Sequence, residues 1–229
     1  MLGGMSWEST ALYYRLANER VRERRGGLAS ASLVVRSVDF AGIRAMQLED
    51  RWDGAAHLLL AEGRALERAG ADLVLLCTNY MHKVAPALEA GLSVPFLHLA
   101  DVVGTVATAR GLRRVGLLGT AGTLREPFYA DRLARHGLDV VVPDEAGVER
   151  VDRAIFAELC RGVLSDVTRA DLREVIARLV AAGADGVVLA CTELELLLDP
   201  SDSPVPLLPT ARLHVEAGVD RALAPELVG

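Results

Sequence analysis

Two short stretches place reactive side chains where an apolar run stops. "AGADLVLLCTNYMHK" begins at Ala69 and ends its run on Cys77-Thr78-Asn79. "AGADGVVLACTELE" begins at Ala182 and ends its run on Cys191-Thr192-Glu193. A thiol at the end of a buried strand, just ahead of a helix, meets the helix's N-terminal amides. Those amides favour thiolate over thiol and lower a pKa that starts near ~8.5. Such a thiolate is a competent base. Two acid/base groups opposed across one carbon remove a proton from one face and return one to the other, which is racemisation or epimerisation.

The register of the two copies refines the pairing. Counted from AGAD without a gap, Cys191 falls opposite Thr78, Thr192 opposite Asn79 and Glu193 opposite Tyr80. Pairing Cys77 with Cys191 needs a one-residue deletion inside a strand, and side chains alternate faces along a strand. The gapless register therefore predicts that Thr78 mirrors Cys191 and that Cys77 points away. Cys77 stays as the alternative first acid/base group, since a threonine hydroxyl is the poorer base.

Strand-like runs alternate with helical ones along the chain. Ser32–Val38, Asp72–Cys77, Val94–Leu99, Arg114–Gly119, Leu138–Pro143, Gly186–Cys191 and Val205–Pro209 read as buried strands. Apolar strands separated by helices predict a doubly wound parallel α/β sheet. The order repeats: "AGADLVLLCT" then "VPFLHL" matches "AGADGVVLACT" then "VPLLPT", and "LGGMSWEST" has a counterpart in "LLGTAGTL". The expectation is two similar lobes related by duplication, residues 1–98 plus 210–229 and residues 99–209, with the site in a cleft between them. Ligands bind such sheets at the C-terminal strand ends. Only Met1 and Leu2 precede Gly3-Gly4, so a central strand of the first lobe is missing or nearly so: either the true start lies upstream, or this lobe tolerates a stub.

Composition excludes several classes. A net charge of −6 over 229 residues, with no basic stripe and no zinc spacing, argues against nucleic-acid and metal binding. No apolar run reaches membrane-spanning length, and "MLGGMSWEST" is not a signal peptide. Three cysteines without framework spacing fit a reducing cytoplasm. Lys83 is the sole lysine and has no phosphate cradle around it, which speaks against a pyridoxal Schiff base.

Other residues carry two readings each. Asn79, Thr120 and Thr192 suit a carboxylate or ammonium group, or cap helices. Glu193 orients the Cys191 thiol or accepts a substrate ammonium, or is a first-turn acid favoured by the helix dipole. Cys160 in "FAELCRG" reads as a small core side chain on a helical pattern. His82 and His214 each stand beside a helical segment and read as structural.

The motifs "LGGMSWEST", "LCTNYMHKVA", "LLGT", "FAELC" and "CTELELL" together resemble the aspartate/glutamate racemase family, which includes hydantoin racemases. The pattern is similar to the branch of L-aspartate/glutamate-specific and broad amino-acid racemases. The resemblance implies two α/β lobes, a two-base mechanism without a cofactor, a small amino-acid substrate such as aspartate or glutamate, and a homodimer. It implies Thr78 in the place of the first catalytic cysteine and Cys191 as the second. Substrate contacts carry over to Met5, Ser6, Gln47, Asn79, Tyr80, Thr120 and Thr192. Tyr80 stands where the branch has threonine, Cys160 where aspartate-specific members have lysine, and Arg44 lies near a substrate-binding arginine. Two further readings stand beside this one: another isomerase or decarboxylase of the superfamily (hydantoin, maleate or arylmalonate type), and a non-catalytic amino-acid-binding protein.

Overall fold

A computed structural model describes residues 1–224. In chain order the elements are β1 (Leu2–Gly3), α1 (Trp7–Arg25), β2 (Arg36–Ser37), α2 (Phe40–Leu48), α3 (Trp52–Arg68), β3 (Val74–Leu75), α4 (Ala85–Gly91) and β4 (Phe96–Leu97). Then come α5 (Leu99–Ala109), β5 (Arg114–Gly119), α6 (Ala121–Arg125), α7 (Pro127–Ala134), β6 (Asp139–Val141), α8 (Glu145–Ala157) and α9 (Asp166–Ala181). The chain closes with β7 (Gly186–Ala190), α10 (Leu194–Leu197), β8 (Leu207–Pro209) and α11 (Thr210–Leu223). All strand pairs are parallel, the mixed α/β class that the apolar strands predict.

Contacts divide the chain into two compact units. One holds Met1–Cys77, Val84–His98 and the chain from Arg212 onward; the other holds Thr78–Lys83 and Leu99–Ala211. Residues 78–83 thus pack with the second unit, whereas the sequence reading placed them in the first. Thr210 and Ala211 also fall in the second unit.

In the first unit β1 pairs with β2 and β3 with β4, and one isolated bridge, Leu2 to Leu76, links the two ladders. β1 is therefore present as a two-residue stub rather than absent. Ser6 caps α1 by accepting from Ser9 N at 3.2 Å, and Asp39 caps α2 by accepting from Ala41 N at 3.2 Å. Helices α1 and α11 pack together: the buried Tyr13 hydroxyl meets His214 Nδ1 at 2.9 Å, and Arg20 grips Asp220 through both carboxylate oxygens.

The second unit carries a four-stranded sheet in the order β6-β5-β7-β8. Every residue of β7 is buried, and so are the last five of β5. The core beneath joins Leu118, Val187 and Leu189 to Ile155, Val175, Ile176 and Leu179 from α8 and α9. The chain leaves β5 for β6 on one side, then crosses to β7 on the other. The C-terminal ends of β5 and β7 thus form the point where strand order reverses, the usual ligand edge of such sheets. The helical pattern read through Cys160 breaks here: α8 ends at Ala157, and Leu159–Arg161 is a separate 3-10 turn stopped by Gly162 in the left-handed region.

Candidate functional site

Register brings the second unit's site residues to one edge. β5 and β7 pair through Gly119 opposite Ala190, so Thr120 and Cys191 leave from adjacent strand ends. β7 and β8 pair through Leu189 opposite Pro209, so Thr210 leaves from the third. Residues 78–80 reach across this edge. The Tyr80 ring lies on Gly122, where an added Cβ would sit 2.3 Å from Cζ, in the turn after β5. Asn79 Nδ2 donates to Thr210 Oγ1 at 3.0 Å, after β8. β7 lies between those two anchors, so the Asn79–Tyr80 step spans the strand end from which Cys191 emerges.

Each anchor is itself held. Asn79 Oδ1 accepts from the buried Tyr129 hydroxyl at 3.0 Å, which fixes the amide's orientation. Thr210 Oγ1 donates onward to Leu189 O at 2.8 Å, and Glu195 Oε1 accepts from Ala211 N at 2.6 Å. Tyr80 donates to Glu126 Oε1 at 2.6 Å, while Lys83 Nζ meets Glu126 Oε2 at 2.5 Å. His82 Nε2 accepts from Leu99 N at 3.2 Å. The ring proton is therefore on Nδ1, which donates to Thr78 O at 2.7 Å. His82 thus holds the backbone of Thr78 and is not placed as a free base. Thr120 caps α6, accepting from Thr123 N at 3.4 Å.

Cys191 departs from the expected thiolate. Its Sγ donates to Glu193 Oε2 at 3.1 Å, and the same oxygen accepts from Thr192 Oγ1 at 2.8 Å. Burial pushes the thiol pKa well above its ordinary value, and the nearby Glu193 carboxylate pushes it further. The Glu193 backbone N–H acts the other way and is outweighed. α10 is only four residues long, too short to supply the dipole the sequence reading relied on. Burial and Glu193 together favour the thiol form, with its hydrogen bond accepted by Glu193 Oε2.

The remaining expected site residues belong to the first unit. Cys77 is fully buried, its Sγ 4.0 Å from Leu75 O, and burial pushes its thiol up to about 12. Met5 and Ser6 are buried at the start of α1, where Ser6 acts as a cap. Gln47 Oε1 accepts from Arg44 at 3.0 Å on α2. His214 is buried between Tyr13 and Leu97 O, and burial lowers its pKa to about 4. Among the described residues no group of His, Cys, Asp and Glu side chains is arranged to hold a metal ion, and no helix is long and apolar enough to cross a membrane.

Sequence reasoning missed Tyr129, Thr210, Glu126 and Glu195. Thr210 had a signal, since it closes the repeated "VPLLPT". Tyr129 had none, because it meets Asn79 only through the fold.

The Asp/Glu/Hydantoin racemase profile matches residues 2–218. The chain belongs to this family. A Yersinia pestis protein placed among the Asp/Glu racemases is 42% identical, with a TM-score of 0.91 and 97% of each chain covered. An aspartate racemase homologue from Pyrococcus horikoshii is 32% identical, with a TM-score of 0.86 and again 97% of each chain covered. The broad specificity amino-acid racemase RacX of Bacillus subtilis is 24% identical over 159 residues, 69% of this chain and 68% of its own.

Proposed function

We propose that this family member is an amino-acid racemase that works without pyridoxal phosphate, with Cys191 exchanging the Cα proton on one face and Thr78 serving the other. The observation that carries it is the single edge at the β5/β7 reversal, where Cys191 leaves β7 between the strand ends on which Tyr80 and Asn79, next in sequence to Thr78, are anchored. In one direction the Cys191 thiol first passes its proton to Glu193, and the thiolate so formed takes the Cα proton; in the other the thiol gives its proton to the carbanion and is left as thiolate until solvent reprotonates it. Asn79 Nδ2 uses one N–H on Thr210 and directs the other to a substrate carboxylate. Thr120 adds a hydroxyl at the neighbouring strand end to help stabilise the carbanion-like transition state, while Thr192 keeps its proton on Glu193 Oε2 and holds that carboxylate in place. Aspartate or glutamate is the first substrate to try, in keeping with the relatives' names. Three cysteines outside any disulfide fit a reducing cytoplasm.

Exchange of the Cα hydrogen for deuterium in D2O, followed separately from each enantiomer, tests this reading. Exchange that is present in the native protein and lost in Cys191→Ala supports it. No exchange with any common amino acid overturns it.

A second reading, decarboxylation or another one-proton transfer, draws on one observation. Burial and the Glu193 carboxylate favour the thiol form of Cys191, and a thiol delivers one proton to a carbanion without needing a second base. Turnover of an arylmalonate, maleate or hydantoin, with none of amino acids, would favour it.

A further inference from the structure

His82 is buried four residues after Thr78, and each of its ring nitrogens meets a backbone group of fixed polarity. Nδ1 lies 2.7 Å from Thr78 O, which can only accept. Nε2 lies 3.2 Å from Leu99 N, which can only donate. One form of the ring satisfies both, neutral imidazole with its proton on Nδ1. The other neutral tautomer turns a lone pair to the carbonyl and an N–H to the amide. An imidazolium keeps the first bond and sets N–H against N–H at the second. The surroundings therefore select one chemical form of the ring as well as one position.

Thr78 depends on such a hold. It lies outside every strand and helix, after β3 has ended and before the 3-10 turn Tyr80–Val84 begins. The bonds of Asn79 to Thr210 and Tyr129, and of Tyr80 to Glu126, fix side chains that leave from positions 79 and 80. The His82 bond falls on the carbonyl of position 78 itself. Turning that peptide plane is a change in ψ of Thr78, and it redirects the threonine Cβ and hydroxyl relative to the anchored residues beyond.

The far end of the link is rigid. Leu99 is fully buried and is the first residue of α5, where a helix N–H lacks an intrahelical acceptor. His82 Nε2 supplies that acceptor. α5 is in turn clamped to α7, where Arg132 donates to both carboxylate oxygens of Asp101. α7 also carries Tyr129, which holds Asn79. One pair of helices thus supports two successive residues of the segment.

We propose that His82 is a positioning residue for proton transfer at Thr78: its neutral ring, protonated on Nδ1, ties the Thr78 carbonyl to the start of α5 and so aims the Thr78 side chain. The proposal rests on the reading of Thr78 as the acid/base group on its side of Cα. The role is one-sided, because Cys191 leaves β7 and bonds to Glu193. Losing the His82 bond should therefore weaken exchange on one face of Cα and spare the other.

Two amide variants separate the two ring nitrogens. The asparagine amide ends where Nδ1 stands, so His82→Asn can still donate to Thr78 O. The glutamine amide ends where Nε2 stands, so His82→Gln can accept from Leu99 N but loses the Thr78 bond. Deuterium wash-in at Cα, followed from each enantiomer in D2O, should fall about tenfold in His82→Gln for the enantiomer that Thr78→Ala also slows, and change by less than about twofold for the other. His82→Asn should recover most of that loss. Equal loss for both enantiomers, or equal loss in the two variants, overturns the proposal.

A second readout needs no substrate. Ring nitrogen shifts of protein labelled with 15N-histidine should place the His82 proton on Nδ1. The Asn79 amide shares a peptide plane with Thr78 O, and its hydrogen exchange should quicken about tenfold in His82→Gln but not in His82→Asn. A proton on Nε2, or an Asn79 amide that ignores both substitutions, overturns the positioning whatever the reaction. If no amino acid takes up deuterium in the native protein while this pattern holds, the racemase reading falls and the tie between His82 and Thr78 stands.

Discussion

Tyr129 and Asn79 are 50 positions apart in sequence, and the tyrosine hydroxyl donates to the amide oxygen at 3.0 Å with both groups buried. That bond decides which end of the amide is oxygen and which is nitrogen, and so aims the second N–H of Nδ2. In Tyr129→Phe the ring still fills its place, but Oδ1 loses its partner. An unsatisfied buried acceptor costs about 1–3 kcal/mol. We expect KM to rise about tenfold, with kcat changed less, since the loss falls on carboxylate binding rather than proton transfer. A purely structural role would lower the melting temperature and leave both kinetic constants unchanged.

Burial raises the Cys191 thiol pKa most, and Glu193 raises it further through its charge and by accepting the thiol's hydrogen bond. Glu193→Gln removes the negative charge, so the thiol pKa moves down from its raised position. Thiolate absorbance near the ultraviolet edge, titrated with pH, should show an earlier midpoint in the variant. Exchange at Cα should fall at the same time, because the proton has lost its receiver. A midpoint that stays in place would show that burial alone sets the pKa.

Much of the second unit was legible because its strands are continuous apolar runs: Arg114–Gly119 was read with its observed bounds, and Gly186–Cys191 overran by one residue. The first unit was less so. Its strands were read from the same apolar signal, but a ladder also needs a neighbour, and sequence does not show where a neighbour stops. The repeat drew attention to the Cys191 end and to Thr78. It could not show that residues 78–83 pack with the second unit, because that depends on contacts to Gly122, Glu126 and Thr210. The thiolate expectation failed for a local reason: Glu193 was judged by its place on a helix, not by its reach back to Cys191.

Gly122 and Tyr80 are matched. A methyl group at position 122 would stand 2.3 Å from the tyrosine Cζ and 2.5 Å from its hydroxyl. Gly122→Ala must push the ring aside and break its bond to Glu126, at a cost of about 1–3 kcal/mol. Tyr80→Ala relieves the clash, so the double variant should be more stable than the two separate losses predict. A double-mutant cycle by urea denaturation checks this; strict additivity would mean the ring has an alternative seat.

His214 gives the folded state a pH dependence of definite sign. Its pKa is lowered from 6.5 to about 4 by burial, so the unfolded chain takes up its proton first as pH falls. The stability contribution is complete above pH 6.5 and declines between there and about pH 4, where both states are protonated. The full loss is about 3 kcal/mol. Denaturation at pH 7 and at pH 4.5 should differ by most of that amount, and His214→Phe should flatten this part of the profile. An unchanged slope in the variant would assign the acid sensitivity to other groups.

Cys77 and Thr78 are neighbours in sequence with opposite expected phenotypes. Cys77 is fully buried with its thiol pushed up to about 12, which makes it a poor base at neutral pH. Cys77→Ala should leave proton exchange largely intact and cost roughly 1–2 kcal/mol through the small cavity it creates. Thr78→Ala should slow turnover at least tenfold in one direction while changing stability little, because its backbone carbonyl still accepts from His82. Thr78→Cys replaces a weak acid/base group with a stronger one on the same segment, and should bring the two directions closer in rate. Progress curves from each enantiomer, run for all three variants, separate the cases. If Cys77→Ala is as inactive as Cys191→Ala while Thr78→Ala remains active, the proton donor on that side is Cys77, and the gapless register of the repeat does not describe the site.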